Sequence, residues 1–289
     1  MKLGIVTDST SDIPDYLAEQ YALEVVPSLL ILDGKEYADG IGLSREDFYN
    51  QLNTLHPYPT TAAPSIGNFA TRYQSLLSRG CDHILSIHVA ETLSATIDSA
   101  RQAAADFPNK ITIVDSGSLS LGLGFQVLAA AEAAENGLQA ALDTIESTRE
   151  RLSVFAALDT LENLKRSGRV PGVVAKLGGL LSIKPVVEIK DGHVRPVGAT
   201  RTTKQSNQRI LDLLLEIGEM ERLAILHTNA PARAKGLLNS VMERQHKSVP
   251  RDILFINVTP VIGAHLGANG LGFAAVRSVI ASEAKQSSQ

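Results

Sequence analysis

Leu3-Gly4-Ile5-Val6-Thr7-Asp8-Ser9-Thr10-Ser11-Asp12-Ile13-Pro14 opens the chain and decides how the rest is read. An apolar run ends in short polar residues, and a proline stands where a helix begins. That order predicts a strand, a polar loop and a capped helix. Ser, Thr and Asp accept the free N–H groups of a first helical turn, and proline tolerates its start. The pattern returns at residues 84–87, with a loop to Thr92 and a helix over about 94–105. It returns again at residues 111–114, with Asp115-Ser116 and a helix over 125–135 that Asn136-Gly137 should stop. Between these, Ile66, Phe69, Ala70, Tyr73, Leu76 and Leu77 share one helical face after Pro64. Strands alternating with helices predict parallel crossovers.

The second half reads differently. Apolar runs at 182–189 and 194–198 flank Lys190-Asp191-Gly192, whose Asp-Gly pair predicts a hairpin turn. Helices over about 205–217 and 232–244 alternate with strands at 223–227, 253–258 and 273–279. The expected fold is α/β with two domains. Residues 1–150 form a three-layer α/β/α unit on a mainly parallel sheet. Residues 151–281 form an α+β unit on a mixed sheet, and 282–289 a polar tail.

The 289 residues carry a net charge of −4, with 44% hydrophobic and 4% aromatic side chains and no Trp. A chain this apolar buries a core and is not disordered. Its mild acidity gives no basic face for nucleic acid and no recruitment to an anionic membrane. A single cysteine, Cys81, excludes an internal disulfide and any multi-cysteine metal site. Charge precedes any apolar stretch at the start, and no window is apolar enough to span a bilayer. The expected location is the cytoplasm, without stable membrane insertion.

No phosphate-cradling G-x-x-x-x-G-K-[ST] loop occurs, no G-x-S-x-G elbow, and no H-x-x-x-H zinc spacing. Gly122-Leu123-Gly124 begins like a dinucleotide fingerprint, but its third glycine position is Val127, so helix packing is its ordinary reading. No metal site and no cofactor are expected. What remains is a series of hydroxyl-rich junctions: Asp8-Ser9-Thr10, Thr60-Thr61 with Ser65, Ser94 with Thr96, and Asp115-Ser116-Gly117-Ser118. At the carboxyl ends of parallel strands, such loops and helix N-termini hold a carboxylate or phosphate, although for each hydroxyl taken singly an N-cap is the commoner use. Two further loops stand out, Arg166-Ser167-Gly168-Arg169 and Gly263-Ala264-His265-Leu266-Gly267-Ala268-Asn269-Gly270.

Taken in order, these segments resemble the DegV family, whose best-understood members are fatty-acid-binding subunits of the FakB type. The matching stretches are Val6-Thr7-Asp8-Ser9-Thr10-Ser11-Asp12, Thr61-Ala62-Ala63-Pro64-Ser65, Leu93-Ser94-Ala95-Thr96 and Val114-Asp115-Ser116. They continue through residues 161–169, Leu177-Gly178-Gly179-Leu180-Leu181-Ser182-Ile183-Lys184-Pro185 and Gly263-Ala264-His265-Leu266-Gly267. The resemblance implies a long-chain fatty acid enclosed between two domains. Its carboxylate would be presented to a separate kinase subunit of the FakA type, which supplies ATP and metal. The family's carboxylate-holding Thr and Ser fall on Thr61 and Ser94, with Thr96, Ser9 and Gly267 beside them. The histidine near the head group falls on His265, and Arg169 and Arg201 match arginines facing the partner or the pocket mouth. Asp8 and Asp115 would shape the adjoining loops.

Neutral hydroxyls suit a carboxylate that must later attack phosphorus, because a buried ion pair would hold its charge too tightly. The chain departs from the family pattern at Ala62-Ala63, at Ser167 and at Ala268-Asn269. On this reading the protein has no catalysis of its own. Three alternatives stay open: an acyl hydrolase with Ser94 as nucleophile and His265 as base, a phosphoryl carrier on His265, and a lipid buffer without a kinase.

Overall fold

The structure, a computed structural model, describes residues 1–179 and 182–279. Leu180 and Leu181 of the glycine-rich motif, and the 282–289 tail, lie outside the described residues. The chain runs β1 (Leu3–Asp8), a 3-10 turn at Ser9–Ser11, α1 (Asp15–Gln20), β2 (Glu24–Val26), β3 (Leu29–Leu32) and β4 (Lys35–Ala38). Then come α2 (Arg45–Gln51), β5 (Thr60–Ala62), α3 (Ile66–Ser78), β6 (His83–His88), α4 (Thr96–Ala104), β7 (Ile111–Asp115), α5 (Leu121–Ala133) and α6 (Leu138–Arg151). The remainder is β8 (Leu152–Ala157), α7 (Glu162–Ser167), α8 (Pro171–Leu177), β9 (Lys184–Lys190), β10 (His193–Thr200) and α9 (Thr203–Leu215), followed by β11 (Met220–Thr228), α10 (Pro231–Gln245), β12 (Ile253–Asn257), α11 (Pro260–Leu266) and β13 (Gly270–Arg277).

Strands β2-β1-β6-β7 form a wholly parallel sheet, as the alternating pattern predicts. Strands β10-β9-β8-β13-β11-β12 form a mixed sheet in which only β11 and β12 are parallel. The Asp191-Gly192 turn has positive φ at both residues, 50° and 75°, the geometry that matches strand twist in a two-residue hairpin. A third, antiparallel sheet, β4-β3-β5, is new relative to the sequence reading. It moves Thr61 off the expected strand-to-helix junction and into the middle of β5, where it pairs with Leu30. Ile66 also departs from its helical face, being exposed at the start of α3, whereas Phe69, Tyr73 and Leu76 are buried.

Helix α5 lies between the two large sheets, against β1 and β6 on one side and β8 and β13 on the other. Every residue from Leu121 to Ala130 is therefore buried, which is what a helix apolar all round requires. Gly122 and Gly124 sit in its first turn. A Cβ at Gly124 would fall 2.6 Å from the Ser11 carbonyl oxygen, and one at Gly122 would collide with the Ser118 hydroxyl. The incomplete fingerprint is a packing contact, not a nucleotide loop. One apolar cluster joins Ile5, Leu85 and Ile87 of the parallel sheet to Val154, Val187 and Ala274 of the mixed sheet through α5. Others lie beneath α3 and α4, beneath α9 and α10, and between the small sheet and α2.

Candidate functional site

A cavity of about 270 Å³ lies where the three sheets meet. Its floor is the mixed-sheet face carrying Val154, Ala156, Val187, Ile189 and Leu226, with Val258 just past the end of β12. Gly272 stands directly across from Ala156 on β13, so two small residues face each other at this floor. Leu93 and Leu119, from loops of the parallel sheet, and Leu158, Leu164 and Leu266 complete an apolar wall. Polar side chains are a minority of the lining: Thr10, Ser28, Thr61, Ser94, Ser120, Ser167, Arg169, His227, Thr228 and His265 border it.

Three of the expected residues border this cavity from remote parts of the chain. Thr61 Oγ1 and His265 Nε2 share a 2.8 Å hydrogen bond. Ser94 borders the same cavity, its hydroxyl 2.8 Å from Thr96 Oγ1 and accepting the Thr96 N–H at 3.3 Å. Arg169, exposed, stands at the edge close enough to bear on the His265 charge. Burial, and then the Arg169 cation, pull the His265 imidazole down to about 4 from its ordinary 6.5, so it is neutral near pH 7. The cavity thus offers hydroxyl and imidazole groups and one cation within a lining that is mostly hydrocarbon. An anion on an apolar chain satisfies both.

The other expected residues lie one step away. Thr96 is fully buried behind Ser94 and holds it. Ser9 accepts the Ser28 N–H at 3.1 Å and so fixes a residue that does border the cavity. Gly267 ends α11 at φ 79°, and its lack of a side chain makes room for the Asn163 amide. Arg201 is exposed before α9, outside the cavity lining, its N–H bound to Gln205. Asp8 and Asp115 are loop-builders. Asp8 accepts the Thr10 and Val89 N–H groups at 3.1 Å each, and Asp115 accepts the Gly117 N–H at 2.8 Å.

The Ser94–His265 pair that a hydrolase needs is not formed, since His265 is engaged by Thr61 and Ser94 by Thr96. A Ser–His–Asp line does exist elsewhere. Ser86 Oγ lies 2.7 Å from His88 Nε2, whose Nδ1 is 3.1 Å from Asp8, with the Tyr73 hydroxyl 2.9 Å from Ser86. All four side chains are fully buried, so no substrate reaches them. They bind β1 to β6 and α3.

Sequence reasoning missed Ser28, Ser120, His227 and Thr228. Ser120 carries the clearest signal in retrospect, as a small polar residue immediately before an apolar helix. It sits at φ 50° and donates to Asp12 at 2.6 Å. The hairpin tip also reaches across to the loops after β6 and β7. Gly192 N–H donates to Gly117 at 2.8 Å, and the Thr92 hydroxyl donates to the Gly192 carbonyl.

A model of the DegV family, described as uncharacterised proteins, matches residues 2–278. A DegV domain-containing protein of Listeria monocytogenes is 31% identical over 277 residues, 94% of this chain and 97% of its own. One from Streptomyces coelicolor is 32% identical over 276 residues, 93% and 96% of the two chains. Among solved structures, a DegV family protein from Thermus thermophilus described for its fatty acid binding has a TM-score of 0.88 at 34% identity, covering 96% of this chain and all 100% of that one. DegV of Bacillus subtilis, described as a fatty acid binding protein, has a TM-score of 0.84 at 29% identity, covering 96% and 100%.

Proposed function

The chain belongs to the DegV family, and from that premise we propose that it binds one long-chain fatty acid in the cavity between its sheets. The observation that supports this reading is a largely apolar cavity that Thr61, Ser94, His265 and Arg169 also border. Thr61, Ser94 and His265 hold the carboxylate there, and Arg169 supplies positive charge at the edge. Buried methylenes contribute most of the affinity, about 0.8 kcal/mol each.

In the finer reading, the protein is the lipid-presenting subunit of a fatty acid kinase, and a separate subunit brings ATP and metal. Its support is the motif resemblance and the exposed Arg169 and Arg201. Mass spectrometry of solvent-extracted, purified protein tests the binding. An acyl chain in stoichiometric amount is expected, and its absence from both native and fatty-acid-soaked protein overturns the reading. Acyl-phosphate formed with a FakA-type subunit and ATP tests the presentation, and its failure with loaded protein leaves a lipid buffer.

A further inference from the structure

Helix α11 carries His265 at its C-terminal end, and its N-terminal end is gripped from outside the mixed sheet. Arg45, on α2, donates from Nη1 to Asp12 at 2.8 Å and to the Asn257 carbonyl at 2.5 Å. One helical turn further on, the Tyr49 hydroxyl donates to the Val258 carbonyl at 2.9 Å, and its ring lies so close to Gly263 that no side chain fits there. Thr259, the residue capping α11, donates its N–H to Asp12 at 2.9 Å and its hydroxyl to Asp39. The other oxygen of Asp12 takes the Ser120 hydroxyl.

Residues 29–62 therefore hold α11 at both ends, through Arg45, Tyr49 and Asp39 at its start and through Thr61 at His265. The Asp12 carboxylate is fully buried, while Arg45 remains a third exposed. Two neutral donors and a cation converge on this one buried carboxylate, which fixes the start of a helix only seven residues long. A helix of that length is a lever of about 10 Å, so a small tilt at Thr259 displaces the imidazole by a comparable amount. Hydrogen bonds to a carboxylate lose much of their strength with such a displacement.

We propose that Arg45, assisted by Tyr49, is a positioning residue for the ligand's carboxylate, acting through α11 on His265. This rests on the fatty-acid reading of the cavity. Neither residue borders the cavity, so neither touches the ligand.

The test compares a fatty acid with its methyl ester on delipidated Arg45→Gln, Arg45→Lys and Tyr49→Phe proteins by titration calorimetry. The ester keeps the apolar chain and lacks the anion. Arg45→Gln should weaken the acid about tenfold and the ester by less than about threefold. Arg45→Lys, which keeps a cation beside Asp12, should recover part of the acid affinity. Tyr49→Phe removes one oxygen and should show the same selectivity at about threefold, which keeps the test open if Arg45→Gln fails to fold. Acid and ester weakened in parallel, or neither weakened, overturns the proposal. Wild-type protein that binds neither compound sinks the fatty-acid reading and this inference with it.

Discussion

Thr61 and His265 stand 204 residues apart in sequence and 2.8 Å apart in the structure, the first on a short strand of the small sheet and the second at the end of α11. Their hydrogen bond joins two polar residues of the cavity lining. Its chemistry is that of two neutral groups, because burial and Arg169 keep the ring unprotonated near pH 7.

Thr61→Val removes the hydroxyl at nearly constant volume and leaves Nε2 of His265 without its partner. Fatty acid affinity should fall by about 1.5–3 kcal/mol if Thr61 also donates to the ligand carboxylate, measured by calorimetry on delipidated protein. Ser94→Ala should act in the same direction. Unchanged affinity in both variants places the carboxylate elsewhere.

Acid should destabilise the folded state through His265. Its folded value of about 4 lies below the ordinary 6.5, so the unfolded chain takes up this proton first as pH falls. The contribution is complete above about 6.5 and is lost progressively towards 4. His227, also held near 4 by burial, works in the same sense. Buried Asp12 and Asp39 are raised by burial and work oppositely, since protonation favours their folded forms. The difference between wild type and His265→Asn isolates the one group. Between pH 7 and 4, urea melts should show the wild type losing roughly 1–3 kcal/mol more than the variant.

Bound carboxylate should reverse part of that depression. An anion beside the ring favours the imidazolium, so the His265 resonances should titrate at higher pH in loaded than in delipidated protein. An unchanged NMR titration midpoint separates the ligand's charge from His265.

Ala156→Leu puts three further carbons on the cavity floor opposite Gly272. Binding of octadecanoate should weaken more than that of dodecanoate in competition experiments, with a stability cost of about 1–3 kcal/mol from overpacking. Equal weakening would place the acyl chain away from this floor.

Thr92→Val removes the side-chain bond to the hairpin tip and leaves the Gly192–Gly117 bond intact. If the hairpin closes the cavity, ligand release in stopped-flow exchange should quicken several-fold while the melting temperature moves little. An unaltered release rate directs the exit path elsewhere.

Much of this architecture is legible in the chain itself, because its signals are local. Alternation of apolar runs with capped helices gives β1, β6 and β7, and Asp191-Gly192 marks the hairpin. The cavity-lining residues of the sequence reading, Thr61, Ser94, His265 and Arg169, lie in motifs that follow one another in order along the chain. The small sheet was not legible, since β5 is three residues long and its partner β3 lies some thirty positions upstream. Nor was the grip on α11. Asp12, Asp39 and Arg45 look like ordinary surface charges until folding brings Thr259 and Asn257 beside them.

The sealed line from Tyr73 through Ser86 and His88 to Asp8 makes the parallel sheet its own clock. Water has no route to those hydroxyl and imidazole protons while β1 and β6 stay paired, so they leave for deuterium only when the sheet parts. Their exchange rates report how often the scaffold beneath the cavity opens, whether or not a ligand is present.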